Sequence, residues 1–119
     1  MKTIIACSSG SESNVAISII RLSGFKSLFE FKEFFSVDLD IVEPRRVYFS
    51  KLHDSHARVL DEVTFVFFKG PSSYNGENTL EIYAHGNRLN VKKIIELFVR
   101  NGKAAPASNG EFTLRALRN

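Results

Sequence analysis

A single cysteine, Cys7, is all the thiol this sequence holds. One thiol excludes an internal disulfide, a CxxC redox pair and a cysteine zinc site, and it suits a reducing cytoplasm. Tryptophan is absent, whereas eleven phenylalanines make the expected core unusually Phe-heavy. Apolar runs are short. The opening Met1-Lys2-Thr3-Ile4-Ile5-Ala6-Cys7 is too brief for a signal peptide, and no stretch reaches the roughly 18 apolar residues of a membrane span. The expectation is a soluble, cytoplasmic protein with no membrane association. Several chemical motifs are missing too: no GxxxxGK followed by Ser or Thr, no GxGxxG, no HExxH and no GxSxG. Nucleotide hydrolysis and a zinc helix are thereby excluded from this chain, and scattered Ser, His and acidic residues do not define a triad.

What is present fits one domain, residues 1–119, built around one core. Hydrophobic residues make up 44% and charged residues 24%, which is the balance of a globular chain rather than a disordered one. The net charge of +3 permits anionic partners, but the basic residues are dispersed rather than striped, which argues against direct nucleic-acid contact.

Lys2 to Cys7 has strand character, "SSGSESN" reads as a polar loop, and "VAISIIRL" reads as a β-branched strand. Alternation puts Val15, Ile17, Ile19 and Arg21 on one face and Ala16, Ser18, Ile20 and Leu22 on the other, so Arg21 ends an apolar face. Gly24 breaks the strand, and "FKSLFEFKEFF" is expected to form a short amphipathic helix packing Phe25, Leu28, Phe29 and Phe35. "RRVYFSKL" and "VTFVFFK" read as antiparallel strands joined by the polar "HDSHARVLDE", whose His53 and His56 are taken as solvated loop histidines.

"TLEIYAH" alternates cleanly, with Leu80, Ile82 and Ala84 facing one way and Thr79, Glu81, Tyr83 and His85 the other. "NRLNVKKIIELFVRNG" is the best helix, with Val91, Ile94, Ile95 and Phe98 at core spacing and Asn101-Gly102 as its stop. "KAAPA" suggests a short edge strand, and "GEFTLRALRN" a helical pattern only starting to develop, as in a chain cut short. The order β-β-α-β-β-β-α-β predicts an α+β fold: a mixed, mostly antiparallel sheet of about five strands packed with two to three helices.

The one constellation with chemical promise joins Arg21 to Glu81. If both point into one concavity, they meet either each other, as a partly exposed salt bridge, or a ligand.

Four stretches carry a resemblance: "TIIA", "ISIIRLSGF", "FFKGPSSYNGENTLEIYAHGN" and "NGEFTLRALRN", in that order. They resemble the "TIAA…GIVRISG", "PxSFTGEDVLELxxHGG" and "PGEFTxRAFLNGK" pattern of the N-terminal domain of the MnmE/TrmE family of tRNA-modification GTPases. The resemblance implies a fold similar to the folate-binding domain of aminomethyltransferases, binding of 5-formyltetrahydrofolate or another one-carbon tetrahydrofolate, and homodimerisation. It places Arg21 and Glu81 on folate-contact positions. A third family contact, a lysine, falls beyond Asn119. Helical and GTPase domains, a flavoprotein partner and wobble-uridine modification of tRNA belong to the full-length family protein, and this chain holds no GTPase site.

The carry-over is chemically sensible. One carboxylate accepts the adjacent N–H donors of a pterin in bidentate fashion, so Glu81 suits that edge, while the planar fork of Arg21 suits a carbonyl or carboxylate. Tyr83 is a candidate pocket wall. Glu77 and His85 are assigned structural or supporting roles. The chain departs from the family at "SSGSESN", "SYNGEN" and "AHGN", losing glycines, prolines and an acid where a backbone would approach a ligand. The alternative readings are a structural dimerisation domain with a degenerate folate pocket, and a free-standing one-carbon transfer enzyme, for which the chain is too short.

Overall fold

The computed structural model describes residues 2–8 and 16–119. The expected "SSGSESN" loop falls mostly outside the described residues, as does Val15. Among the described residues six strands form one sheet: β1 (Ile4–Cys7), β2 (Ile17–Ser23), β3 (Val47–His53), β4 (Val59–Phe68), β5 (Thr79–His85) and β6 (Ala105–Pro106). Their order is β3-β4-β5-β2-β1-β6, antiparallel throughout except where β6 pairs parallel to β1. With helices α1 (Arg88–Arg100) and α2 (Glu111–Arg118) and 3-10 helices at Leu28–Phe34 and Leu39–Ile41, the fold is α+β. The sixth strand is the two-residue edge that "KAAPA" suggested.

The segment after Gly24 departs from the expected α-helix. Leu28, Phe31 and Phe34 are buried, whereas Phe29 is 50% exposed. That spacing of three is the 3-10 repeat, in which side chains three apart eclipse one another and form a single stripe. A capping box starts it: Ser27 Oγ accepts the Phe29 N–H at 3.2 Å, and Glu30 Oε2 accepts the N–H groups of Lys26 and Ser27. The stripe delivers Phe31 edge-on to Phe25 and Phe98, at centroid distances of 5.0 and 5.5 Å, with Phe34 also edge-on to Phe98.

Strand β4 begins at Val59, earlier than expected, because the β3–β4 hairpin is closed tightly at Asp54. The Asp54 carboxylate accepts the N–H groups of His56 and Arg58, and its own N–H donates to the Arg58 carbonyl. Helix α1 buries Val91, Ile94, Leu97 and Phe98, so Leu97 takes the core position expected of Ile95, which is half-buried. It ends in a Schellman motif: Gly102, at φ +71°, donates to the Val99 carbonyl and Lys103 to the Phe98 carbonyl.

The core lies on one face of the sheet, where Ile20, Leu22, Leu52, Phe65, Leu80 and Ile82 meet α1 and the first 3-10 helix. Alternation sends the intervening side chains, Arg21, Glu81, Tyr83 and Thr64 among them, to the opposite face. Ile17, Val47 and Phe49 on that face are exposed.

Candidate functional site

Strands β2 and β5 lie side by side at the centre of the sheet, in a register that sets Arg21 directly opposite Glu81. Arg21 donates from Nε at 3.0 Å and from Nη2 at 2.6 Å, both to Glu81 Oε2. The two side chains keep 23% and 15% of their surface exposed, so this is a half-buried pair reachable from solvent. Glu81 Oε1 accepts the Tyr83 hydroxyl at 2.6 Å. The three site residues singled out from sequence are therefore joined in one hydrogen-bonded group.

The donor and acceptor balance defines what the group can still bind. Each carboxylate oxygen accepts two hydrogen bonds, so with Oε2 taking two from Arg21 and Oε1 one from Tyr83, one position on Oε1 is left. Arg21 engages Glu81 with two of the five N–H donors of its guanidinium, leaving the rest of its fork for another acceptor. Two aromatic rings attend the same guanidinium: Tyr74 with its centroid at 5.7 Å and Phe112 at 5.9 Å. Tyr83 also borders an open hollow of about 250 Å³ lined by Ile17, Phe49, Glu62, Thr64 and His85. Burial, the bond to Glu81 and repulsion from its charge push the Tyr83 phenol up to about 12, against a smaller opposing pull from Arg21.

Glu77 does not join this group. It lies in the 70–78 loop, where Oε1 accepts from the buried Arg115 of α2 at 3.1 Å. The loop is held from within as well: Asn75 Oδ1 accepts the Glu77 N–H, Asn78 Oδ1 accepts the Gly70 N–H, and Asn78 Nδ2 donates to the carbonyls of Phe25 and Lys26. Asn75 and Asn78, departures from the family pattern, are thus the residues that shape the loop.

His85 points to a separate cluster. Its Nδ1 lies 2.6 Å from Asp61 Oδ1 and its N–H donates to Asp61 Oδ2, to which Asn90 Nδ2 also donates at 2.8 Å. Burial works to raise the Asp61 carboxyl, but these bonds outweigh it and hold the group below its usual range. Among the described residues no three His, Cys, Asp or Glu side chains converge as metal ligands would. No helix among them is long and apolar enough to cross a membrane.

Sequence reasoning passed over Asp61, Tyr74, Phe112 and Arg115. Arg115 was signalled only by its place four residues after Glu111, with which it pairs at 3.1 Å. Tyr74 and Phe112 carried no signal, because their approach to Arg21 depends on how two distant segments fold together.

The geometry defines a class: an α+β domain carrying a half-buried charged pair on the open face of its sheet. Comparison with known proteins supplies the family. The model of the family described as GTP-binding protein TrmE N-terminus matches residues 3–119. The tRNA modification GTPase MnmE of Fervidobacterium nodosum is 42% identical over 107 residues, covering 87% of this chain and 23% of that protein. The MnmE of Aquifex aeolicus is 43% identical over 104 residues, with the same coverage. That of Thermosipho melanesiensis is 39% identical over 115 residues, covering 97% of this chain and 25% of that protein. The chain belongs to the TrmE N-terminal family, and it spans about a quarter of the length of these curated relatives.

Proposed function

We propose that this chain is the folate-reading and dimerisation module of a tRNA-modification GTPase, with Arg21 and Glu81 contacting 5-formyltetrahydrofolate or a related one-carbon tetrahydrofolate. The observation that carries this reading is the Arg21–Glu81 pair itself, half-buried, solvent-reachable and attended by Tyr83, Tyr74 and Phe112. Glu81 takes one N–H of the pterin donor edge on the position left at Oε1, and the unused part of the Arg21 fork takes a carbonyl or carboxylate oxygen. Tyr83 borders the ring.

Homodimerisation fits the family resemblance and the exposed Ile17, Val47 and Phe49 on the open face. The catalytic steps at the tRNA wobble uridine, GTP hydrolysis and the flavoprotein partner belong to the full-length protein, acting in the cytoplasm.

Calorimetric titration with 5-formyltetrahydrofolate tests the reading. Weak, measurable heat that Glu81→Ala abolishes is expected; no heat at millimolar ligand sinks it. Light scattering tests the dimer, and a monomer at high protein concentration counts against it. A second reading, a structural dimerisation domain with a degenerate folate pocket, draws on one observation: Glu81 already receives three hydrogen bonds from its own chain. Absence of heat together with a stable dimer selects that reading.

A further inference from the structure

Arg115 is 4% exposed, and its guanidinium donates to Glu77 Oε1 at 3.1 Å, to Glu111 Oε2 at 3.1 Å and to the Lys2 carbonyl at 2.9 Å. Desolvating such a cluster offsets much of its Coulombic gain, so stability alone is a poor reason for it. Its positional consequence is larger. One side chain joins Lys2, two residues before β1, the loop before β5 and the helix α2. The space is fitted to it: a Cβ at Gly24 would lie 2.8 Å from Arg115 Nη1.

Two of the segments that Arg115 ties together each present an aromatic ring to the Arg21 guanidinium. The loop brings Tyr74 and α2 brings Phe112. A second tie at the surface, between the Tyr74 hydroxyl and Thr113 Oγ1 at 3.1 Å, links the same two segments beside those rings. Neither ring belongs to the strands that hold the charged pair, so their approach to it depends on these ties and on a third at the end of α2, where Asn119 Nδ2 donates to the Asn75 carbonyl at 2.8 Å.

We propose that Arg115 is a positioning residue for the Arg21–Glu81 site: by locking the 70–78 loop to α2 it sets Tyr74 and Phe112 as the aromatic walls for a flat heterocyclic ring. The nature of the ligand rests on the folate reading above; the mechanical coupling does not. Lysine is no substitute, because a single ammonium cannot reproduce the planar fork that reaches three acceptors.

The test titrates 5-formyltetrahydrofolate into the chain while following tyrosine fluorescence, which no tryptophan masks. Arg115→Lys is expected to weaken binding about tenfold, since the walls lose their placement while Arg21 and Glu81 stay intact. Phe112→Leu is expected to weaken it about fivefold. The double variant is expected to bind no worse than Arg115→Lys alone, because a wall that is no longer held contributes nothing further. Additive losses, or wild-type affinity in a folded Arg115→Lys, overturn the proposal.

If Arg115→Lys does not fold, Thr113→Val severs only the surface tie, and a loss of about threefold is expected; unchanged affinity overturns the proposal. Hydrogen exchange without ligand gives an independent arm. In the folded variant the amides of 70–78 and 111–118 are expected to exchange faster together while β2 and β5 stay protected, and loosening of α2 alone overturns the proposal. No folate binding by the wild-type chain, together with the coupled exchange in the variant, refutes the folate reading and leaves the positioning intact.

Discussion

The Tyr83 hydroxyl donates to Glu81 Oε1 at 2.6 Å from two positions along the same strand, on the same face. That bond fixes one oxygen of the carboxylate proposed to read the ligand, while Arg21 fixes the other. Tyr83→Phe keeps the ring and removes only the donor. We expect folate affinity to fall about tenfold with little change in the unfolding midpoint, a charge-assisted hydrogen bond being the only interaction lost. An unchanged affinity in calorimetry reduces Tyr83 to a wall.

Burial, together with the same bond, makes alkaline stability depend on Tyr83. Its phenol is raised from 10.0 to about 12 by burial, by the bond to Glu81 and by repulsion from its charge. Because the folded value exceeds the unfolded one, the contribution is complete below pH about 10 and declines as pH rises toward 12. Ultraviolet titration of the folded chain is expected to show one late tyrosine, and Glu81→Gln to bring it earlier. A late tyrosine that Glu81→Gln leaves in place contradicts the assignment.

Asp61 sets the acid side. Burial opposes its ionisation, but bonds from the His85 N–H, the Asn90 amide and the His85 ring prevail and lower its value below 3.8. The stabilisation is present above the unfolded value and is lost as pH falls through the folded one. Asp61→Asn is expected to cost about 1–3 kcal/mol near neutral pH, the range for disturbing a partly buried hydrogen-bonded group. It is also expected to flatten the loss of stability as pH falls below the unfolded value of 3.8. Urea midpoints across that range decide it.

The 3-10 stripe gives a contrast within one segment. Phe31 is fully buried against Phe25 and Phe98, so Phe31→Ala is expected to cost about 3–5 kcal/mol. Phe29 stands half in solvent with Lys32 over its ring, and Phe29→Ala is expected to change stability by about 0.5 kcal/mol or less. Equal costs in denaturant unfolding would falsify the period of three.

Glu77 and Glu81 separate by the same logic. Glu77→Gln weakens the pairing of a buried guanidinium and is expected to destabilise the chain by about 1–3 kcal/mol. Glu81→Ala is expected to abolish folate binding while leaving a cooperative unfolding transition. Thermal scans beside calorimetry show whether the two effects divide this way.

Much of this was legible along the chain because it depends on local period. The alternation of "TLEIYAH" gave the core face of β5, since side chains two apart share a face. Asn101-Gly102 marked the end of α1, since glycine accepts the left-handed turn found there. The Phe-rich segment misled because Phe25, Leu28, Phe29, Phe31, Phe34 and Phe35 supply an apolar stripe for either winding, and packing against Phe98 selected the tighter one.

By itself the sequence determined the alternating strand faces, the end of α1 and the placing of Glu81 and Tyr83 together on one face of β5, all consequences of backbone geometry within a few residues. Only the tertiary structure decided that Arg21 and Glu81 stand in register across β2 and β5. It alone placed Tyr83 on the free carboxylate oxygen and brought Arg115 across more than a hundred residues to Lys2. Those are contacts between segments far apart in the chain, fixed by sheet register and by the need to satisfy buried charges, and no local period encodes them.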